Sequence, residues 1–494
     1  MNRASELAAN SPRAHCASPG FALLALAPAL ISFTAVQTPP AQQTGTASQL
    51  QTGTASGLTT DARLQNLLAD HEYTEIAAHL SQLPPDQAQF YRGILANRSN
   101  HLTQSIQFLE PLLDSVAKGG NVAHEKELRF ALAEDYLRLD DWKNANGAYQ
   151  ALASNLKDKL TADEQDEIEL PLKLLPLAAG DPPVTVEPCD PFKLQVSENP
   201  LGLVDVPVFV DARSRNWMLD PTLPFNLIDR STAKEAGLKV SGASATVTTL
   251  TGRPIQVRVA IIPRFTIGGR LTLRDMTVFV YDDKDYFFPA TSYQVEGVLG
   301  YPALAAIGSL TVTSDNTVFI RPVKQIAPPA SDDLLTGGTP FYLDGEQVIV
   351  SLGREPAAAD APENAGVTGQ GSGAAGQAST QAGADRMFAV DVGGQQTYLT
   401  SRYFDEHAAD FNNQKMQMIS MLGGQPPQPA YTAENVPLRV GSMPVTFHFL
   451  PVLTQPLGSA ALDDVYGVLG TDALGQLKSY TFDYRSMRFA VITQ

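Results

Sequence analysis

The chain has 494 residues, 18% of them charged, and its formal net charge at pH 7 is −17. This length exceeds what one hydrophobic core supports and predicts about three domains. The acidic balance argues against nucleic-acid binding, because phosphate recognition needs a basic surface.

The N-terminus has the pattern of an export signal. Arg3 and Arg13 precede an apolar run from Phe21 to Ala35, which is short for a membrane-spanning helix. We expect residues 1–36 to be a signal peptide that sends the chain to a periplasmic or extracellular location. Contact with a membrane is expected only if this leader stays uncleaved. Residues 37–57 are rich in Thr, Gln, Ser and Gly and are predicted to be a disordered tether.

A helical pattern extends from residue 58 to residue 180. Small and aromatic residues at Ala133, Trp142 and Tyr149 have spacings that resemble a tetratricopeptide repeat, and a weaker copy at Gly93 lies 40 residues earlier (133 − 93). The pattern predicts a short all-α, tetratricopeptide-like domain. Such repeats form a concave face, so this domain either binds a protein partner or is a helical array without a ligand.

After the helical region the sequence pattern changes to short apolar runs separated by Gly, Asp and Asn. This pattern is typical of a small β-barrel or sandwich. Strands are predicted at 206–210 and 276–281. One helix is predicted at 231–236, ended by Gly237.

A short phrase occurs twice in this β-rich part. Gly-Val-Leu-Gly stands at 297–300 and again at 467–470, an offset of 170 residues (467 − 297). Asp220 and Asp391 each end a three-residue apolar run, at nearly the same offset (391 − 220 = 171). The two matching offsets predict a tandem duplication. The expected boundaries are 190–325 for a first lobe, 338–494 for a second, and 355–385 for a low-complexity insertion within the second.

The order of these features resembles that of the retropepsin-like aspartic proteases. The run from Val206 to Leu238 is similar to the first half of one such lobe, and Gly-Val-Leu-Gly is similar to the strand that crosses behind its catalytic loop. The resemblance implies a multidomain α plus β chain: a helical domain followed by two all-β acid-protease lobes. It also implies that Asp220 and Asp391 form a catalytic dyad, which shares a proton and activates water to hydrolyse a polypeptide.

The loops after the two aspartates depart from the family's Asp-Thr/Ser-Gly. The candidate active-site loop residues are Pro221 and Thr222 after Asp220, and Val392 and Gly393 after Asp391. Neither Pro221 nor Val392 has the hydroxyl that would brace the pair of loops. Pro221 also removes a backbone donor.

A second departure lies further along each loop. The family often has Ser or Thr there, and Thr397 fits that pattern while Asn226 does not. Two interpretations therefore stay open. The chain is either an aspartic-type endopeptidase or an inactive pseudo-protease that binds peptides or proteins through the old cleft and the helical repeats.

Other chemistries have no supporting pattern. The seven histidines are scattered, so no metal site is expected. The glycine-rich run at 371–376 has no strand before it and no helix after it, which argues against a nucleotide site. We expect no cofactor.

Overall fold

The computed structural model describes residues 60–220, 223–248, 254–289, 291–325, 337–345, 347–354, 386–391, 396–419, 427–457 and 463–493. The predicted leader, tether and low-complexity insertion lie outside these ranges. So do Pro221, Thr222, Val392 and Gly393. Helices form the described chain up to Ala178 and strands predominate after it, so the protein is mixed α and β.

Side-chain caps define the starts of the three helices that begin at Val122, Trp142 and Ala162. The side chains of Asn121 and Asp141 accept bonds from backbone N–H groups in the first turn of their helices. Thr161 and Glu164 form a reciprocal capping box. The helices are α1 (Thr60–Ala69), α2 (Tyr73–His79), α3 (Pro85–Arg98), α4 (Leu102–Leu109), α5 (Leu113–Gly119), α6 (Val122–Arg138), α7 (Trp142–Asn155) and α8 (Ala162–Ala178). Within the described ranges, no helix has the length and apolar character needed to cross a bilayer.

The first part of the β-rich region forms a nine-stranded sheet in the order β1-β9-β6-β12-β5-β4-β8-β7, with β3 paired to β4. A two-residue turn with positive φ at Asp211 and Ala212 joins β4 to β5. The strands are β1 (Thr185–Val186), β3 (Ser197–Glu198), β4 (Val204–Val210), β5 (Arg213–Leu219), β6 (Leu227–Asp229), β7 (Ala245–Thr248), β8 (Pro254–Ile267), β9 (Leu271–Tyr281) and β12 (Gly297–Leu299).

A larger sheet runs in the order β19-β20-β21-β18-β22-β17-β16-β15-β24-β23-β13-β14-β2, and β10 (Phe287–Phe288) pairs separately with β11 (Tyr293–Gln294). Its strands are β2 (Phe192–Gln195), β13 (Ser309–Thr313), β14 (Thr317–Arg321), β15 (Thr339–Asp344), β16 (Gln347–Arg354), β17 (Arg386–Val390), β18 (Tyr398–Leu399), β19 (Gln417–Ile419), β20 (Gln428–Val440), β21 (Met443–Leu453), β22 (Gly467–Leu469), β23 (Ser479–Asp483) and β24 (Arg488–Ile492).

The two Gly-Val-Leu strands occupy the same place in their sheets. Strand β12 runs parallel to β5 and antiparallel to β6. Strand β22 likewise runs parallel to β17 and antiparallel to β18. The sequence repeat is therefore also a repeat of strand pairing.

Strands β13 and β23 join the two parts of the β-rich region. They pair antiparallel with Thr311 opposite Thr481, and the hydroxyl oxygens of these two residues are 2.8 Å apart. The two threonines are separated by the same 170 residues (481 − 311) that separate the Gly-Val-Leu-Gly copies. A residue and its own repeat therefore face each other at the centre of this strand pair.

The helix predicted at 231–236 is present as α9 (Arg230–Glu235), and Gly237 follows it with φ +68°. Within the part of the chain that the structure describes, three further α-helices were not predicted: α10 (Tyr301–Ile307), α11 (Ser401–His407) and α12 (Thr471–Leu474). Two of them start directly after a Gly-Val-Leu-Gly, whose last glycine is the N-cap. Pro302 falls in the first turn of α10, where its missing N–H costs nothing.

Candidate functional site

Asp220 directly follows β5 and extends its ladder with β12. Its backbone N–H donates to the carbonyl of Leu299 at 2.9 Å, in line with the pairing of Leu219 beside Leu299. The residue is 1% exposed. The aspartate is therefore held at the carboxyl end of a central buried strand.

Asp391 has the same position in the second copy. It directly follows β17, and its N–H donates to the carbonyl of Leu469 at 2.9 Å. It is only partly buried. The two aspartates thus have matching backbone partners, and their surroundings differ in access to solvent.

The strand ends that carry the aspartates converge. Leu219 and Val390, the residues immediately before Asp220 and Asp391, line one small internal cavity. Leu310 and its repeat Tyr480 line the same cavity (480 − 310 = 170). The β13–β23 pairing therefore brings the two aspartate-bearing strand ends to a common centre.

Each loop is tied to its Gly-Val-Leu-Gly by one side chain. The amide oxygen of Asn226 accepts a bond from the N–H of Gly300 at 3.0 Å. The hydroxyl oxygen of Thr397 accepts one from the N–H of Gly470 at 2.8 Å. Asn226 therefore makes the same type of hydrogen bond as Thr397, although its residue type differs.

Gly297 and Gly300 of the first Gly-Val-Leu-Gly are needed because other atoms lie too close for a side chain. A Cβ built on Gly300 would lie 2.1 Å from the carbonyl oxygen of Phe225, and one on Gly297 would lie 2.3 Å from the Trp217 ring. Contacts with backbone at that distance cannot be relieved by a side-chain rotation. Gly300 thus allows the backbone at Leu223 and Phe225 to lie directly against it.

The surroundings of Asp391 include a buried tyrosine. Burial, and then the negative charges of Asp391 and Asp463, hold the pKa of Tyr398 well above its usual value. Tyr398 is therefore a neutral phenol at all physiological pH values. The loop residues Pro221, Thr222, Val392 and Gly393 lie outside the described ranges.

In each copy a row of apolar side chains crosses the three central strands. The row lies on the face of the sheet where the alternation of side chains along the strand also places the aspartate. We call these rows the covered faces: Met218, Val298 and Leu227 in the first copy, and Ala389, Val468 and Tyr398 in the second. All six are buried, and the N-terminal helices pack against both rows.

The side chains that fill these faces come from helices distant in sequence, and no local pattern predicts them. Trp142 of α7 stacks on Phe225 with ring centroids 6.4 Å apart. The tryptophan was interpreted only as a repeat residue. Leu223 and Phe225 are apolar, although loops of this kind are usually polar. That was the one sequence feature that could have indicated a packing partner for this loop. Among the described residues, no cluster of His, Cys, Asp or Glu could hold a metal ion.

Comparisons with known proteins agree with part of this description. Residues 206–303 match the family model described as aspartyl protease, a range that includes Asp220 and the first Gly-Val-Leu-Gly. No curated protein matches the chain. The chain therefore contains an aspartyl protease-like domain.

Two solved structures are similar at low level. Basic 7S globulin from soybean is 10% identical, over 62% of this chain and 95% of that chain, with a TM-score of 0.37. A retropepsin-like aspartic protease from Rickettsia conorii is 16% identical, over 26% of this chain and 98% of that chain, with a TM-score of 0.20. Scores in this range carry no argument about function.

Proposed function

We propose that this protein is an exported, retropepsin-like aspartic peptidase homologue, in which two β-rich lobes from one chain each supply one aspartate of a catalytic dyad. The observation that carries the proposal is the matched placement of Asp220 and Asp391. Each continues a strand paired in parallel to a Gly-Val-Leu strand. The residues immediately before them, Leu219 and Val390, line one cavity in the β core, so the two strands end near each other.

The chemistry proposed for this pair is general acid–base catalysis. Two carboxylates held close together cannot both ionise cheaply, so they share one proton. The ionised carboxylate takes a proton from water as the oxygen attacks the peptide carbonyl, and the protonated one donates to the carbonyl oxygen. The tetrahedral adduct then loses its C–N bond as a proton is delivered to the leaving nitrogen.

The covered faces indicate which peptides to try first. Five of their six side chains carry no polar group, and the sixth is Tyr398. Pockets of that kind bind apolar and aromatic side chains by removing their surface from water. The polypeptide substrates proposed here therefore have large apolar residues around the scissile bond.

The test is a cleavage assay with such peptides from acid to neutral pH, with and without pepstatin. Asp391→Asn and Asp220→Asn should each reduce turnover by about 100-fold or more, because each removes one member of the acid–base pair. Asp229→Asn is the matched control, because Asp229 caps α9 and Asn caps a helix equally well. Turnover that is insensitive to pepstatin and persists in Asp391→Asn would contradict the assignment of Asp220 and Asp391 as the catalytic pair.

A second candidate is a non-catalytic module that binds polypeptides. The near-complete burial of Asp220 favours it, together with the absence of a loop hydroxyl at Pro221 and Val392. A folded protein that binds apolar peptides but hydrolyses none at any pH would support this candidate against the first.

The proposal also covers the type of fold of the helical region and the location of the protein in the cell. Residues 58–180 are proposed to be tetratricopeptide-like repeats that can bind a protein partner. The packing of α3 on α4 supports this, because a Cβ on Gly93 would meet Leu109 at 2.3 Å. Export through residues 1–36 is tested by cell fractionation and by sequencing the mature N-terminus.

A further inference from the structure

We propose that the N-terminal helices hold this protein in a closed state by occupying the covered faces, and that a polypeptide reaches Asp220 and Asp391 only when those helices move away. This inference rests on the proposed function for its consequence, but its structural content can be tested separately. The element that moves is the helical region, residues 60–178. The site that it occupies is the strand face next to the candidate dyad.

Alternation along the central strands shows on which side the aspartates lie. In β5, Trp217 and Leu219 point into the core of the β-rich region, and Met218 points to the helices. Because successive side chains alternate in a strand, Asp220 follows Met218 onto the helix side. Its bond to Leu299 shows that the ladder still continues there.

The second copy has the same alternation. Phe388 and Val390 lie in the β core, and Ala389 lies against the helices, so Asp391 falls on the helix side. The effect of Asp391 on the pKa of Tyr398, a member of the same covered face, agrees with this placement. Both candidate catalytic groups therefore lie on the side that the helices occupy.

Aromatic and aliphatic side chains of the helices fill these faces. On the first, Trp142 stacks on Phe225, and both belong to one apolar cluster with Met218 and Val298. On the second, the rings of Tyr73 and Tyr342 are 4.6 Å apart, within a cluster that includes Tyr398 and Val468. Large apolar side chains thus already stand where those of a bound peptide would lie.

Polar contacts fix the helices in this position. Asp344, at the end of β15, contacts the Tyr73 hydroxyl at 2.7 Å and the Arg98 guanidinium and His71 ring nitrogen at 2.9 Å each. We call this set the Asp344 latch. On the other copy, the Tyr301 hydroxyl donates to Asn100 at 2.8 Å. Without Asp344, Arg98 of α3 still pairs with Glu127 and Glu134 of α6, so the helical region can stay folded when the latch is opened.

The test measures how fast an introduced thiol reacts with a maleimide in the full chain, with Cys16→Ser and Cys189→Ala as background. Ala389→Cys reports on a covered face. Val390→Cys, one residue further, reports on the β core and is the matched control. The opening variant is Asp344→Ala, which removes the latch on the face that contains position 389. Arg63→Gln, which breaks an exposed ion pair with Glu75 inside the helical region, is the control substitution.

We expect the opening variant to speed labelling at position 389 by about tenfold or more, since only local opening is needed there, with position 390 unchanged. Arg63→Gln should change neither rate. If both positions react faster, the fold has loosened, and the milder Asp344→Asn replaces Asp344→Ala for the same comparison. Equal labelling at 389 in the opened and unmodified chains would overturn the inference.

Peptide turnover separates this inference from the proposed function. Faster labelling with new turnover that Asp391→Asn abolishes supports both. Faster labelling without turnover supports the closed state and contradicts the peptidase assignment. Full turnover in the unmodified chain, with position 389 protected, contradicts the closed state and leaves the peptidase assignment intact.

Discussion

In each copy a side-chain hydrogen bond connects the candidate catalytic loop to the last glycine of Gly-Val-Leu-Gly, and different residue types make it. Thr397 uses a hydroxyl and Asn226 an amide oxygen, and both accept from a buried glycine N–H. A buried donor without an acceptor costs about 1–3 kcal/mol. The acceptor is therefore the constraint at this position, and the residue type is free to vary.

Thr397→Val removes this acceptor at nearly constant volume and should lower the free energy of unfolding by about 1–3 kcal/mol. Thr397 also donates to Asp472, so that bond is lost as well. Thr397→Ser keeps the hydroxyl and should stay within about 1 kcal/mol of the unmodified chain. Urea unfolding measures both. Equal midpoints for the Val and Ser variants would show that the bond contributes nothing.

Gly300→Ala should prevent folding or cost about 4 kcal/mol or more, because the new Cβ would overlap the Phe225 carbonyl, a backbone contact. Gly147→Ala is the matched control, since nothing lies within 4 Å of its Cβ position and it sits within α7. That change should stabilise by about 0.5–1 kcal/mol. Circular dichroism shows whether each variant folds, and urea unfolding measures its free energy of unfolding.

At the scale of elements, α7 and α8 act as a second layer on the nine-stranded sheet. Trp142 begins α7 and is 4% exposed, in contact with Phe225. One apolar cluster includes side chains of α7, α8 and the sheet. The helical region is therefore part of the hydrophobic core of the first copy as well as a cover for it.

Trp142→Ala should lower the free energy of unfolding by about 3–5 kcal/mol, the range for truncating a buried aromatic. Trp142→Phe, which keeps a ring against Phe225, should cost less. The chain has two tryptophans, so the fluorescence of Trp217 alone can follow unfolding in both variants. A loss below about 1 kcal/mol for Trp142→Ala would contradict tight packing of α7 on the sheet.

Sequence patterns located the repeated elements but not the layer between them. The offsets placed the strands before Asp220 and Asp391 and the two Gly-Val-Leu strands, because a repeated phrase can be recognised in the sequence itself. The helix after Gly300 was missed, since Tyr-Pro-Ala-Leu fits no strong helix pattern until Gly300 is known to cap it. The contact of Trp142 with Phe225 joins residues 83 positions apart (225 − 142), and no local pattern reports that.

At the scale of the whole molecule, buried carboxyls in the helical region couple stability to pH. Burial raises the pKa of Asp135 and of Glu127 to about 7, and that of Asp140 to about 6. For each group the folded pKa exceeds the unfolded one, so its neutral form is favoured by folding. Asp344 is opposite: although burial disfavours its charge, Arg98 and His71 hold its pKa well below the usual value, and it stays ionised in neutral solution.

The unfolding midpoint in urea should therefore be higher at pH 5 than at pH 8. Groups with a raised pKa contribute stability below their unfolded pKa, and that contribution is lost as the pH rises through about 7. Each pH unit that separates the folded from the unfolded pKa corresponds to about 1.4 kcal/mol. Asp135→Asn removes one such group while keeping an acceptor for Asn97, and should flatten the dependence. A midpoint that rises from pH 5 to pH 8 would contradict this sign.

The position of β23 and β24 has a consequence for biosynthesis. These strands, residues 479–492, lie in the middle of the larger sheet, where β23 pairs with β13 and β24 with β15. A nascent chain that has not yet emerged past residue 478 has no strand to bridge β13 and β15. The first copy can collapse early on the ribosome, but the two aspartate-bearing strand ends can meet only after residues 479–492 have been synthesised.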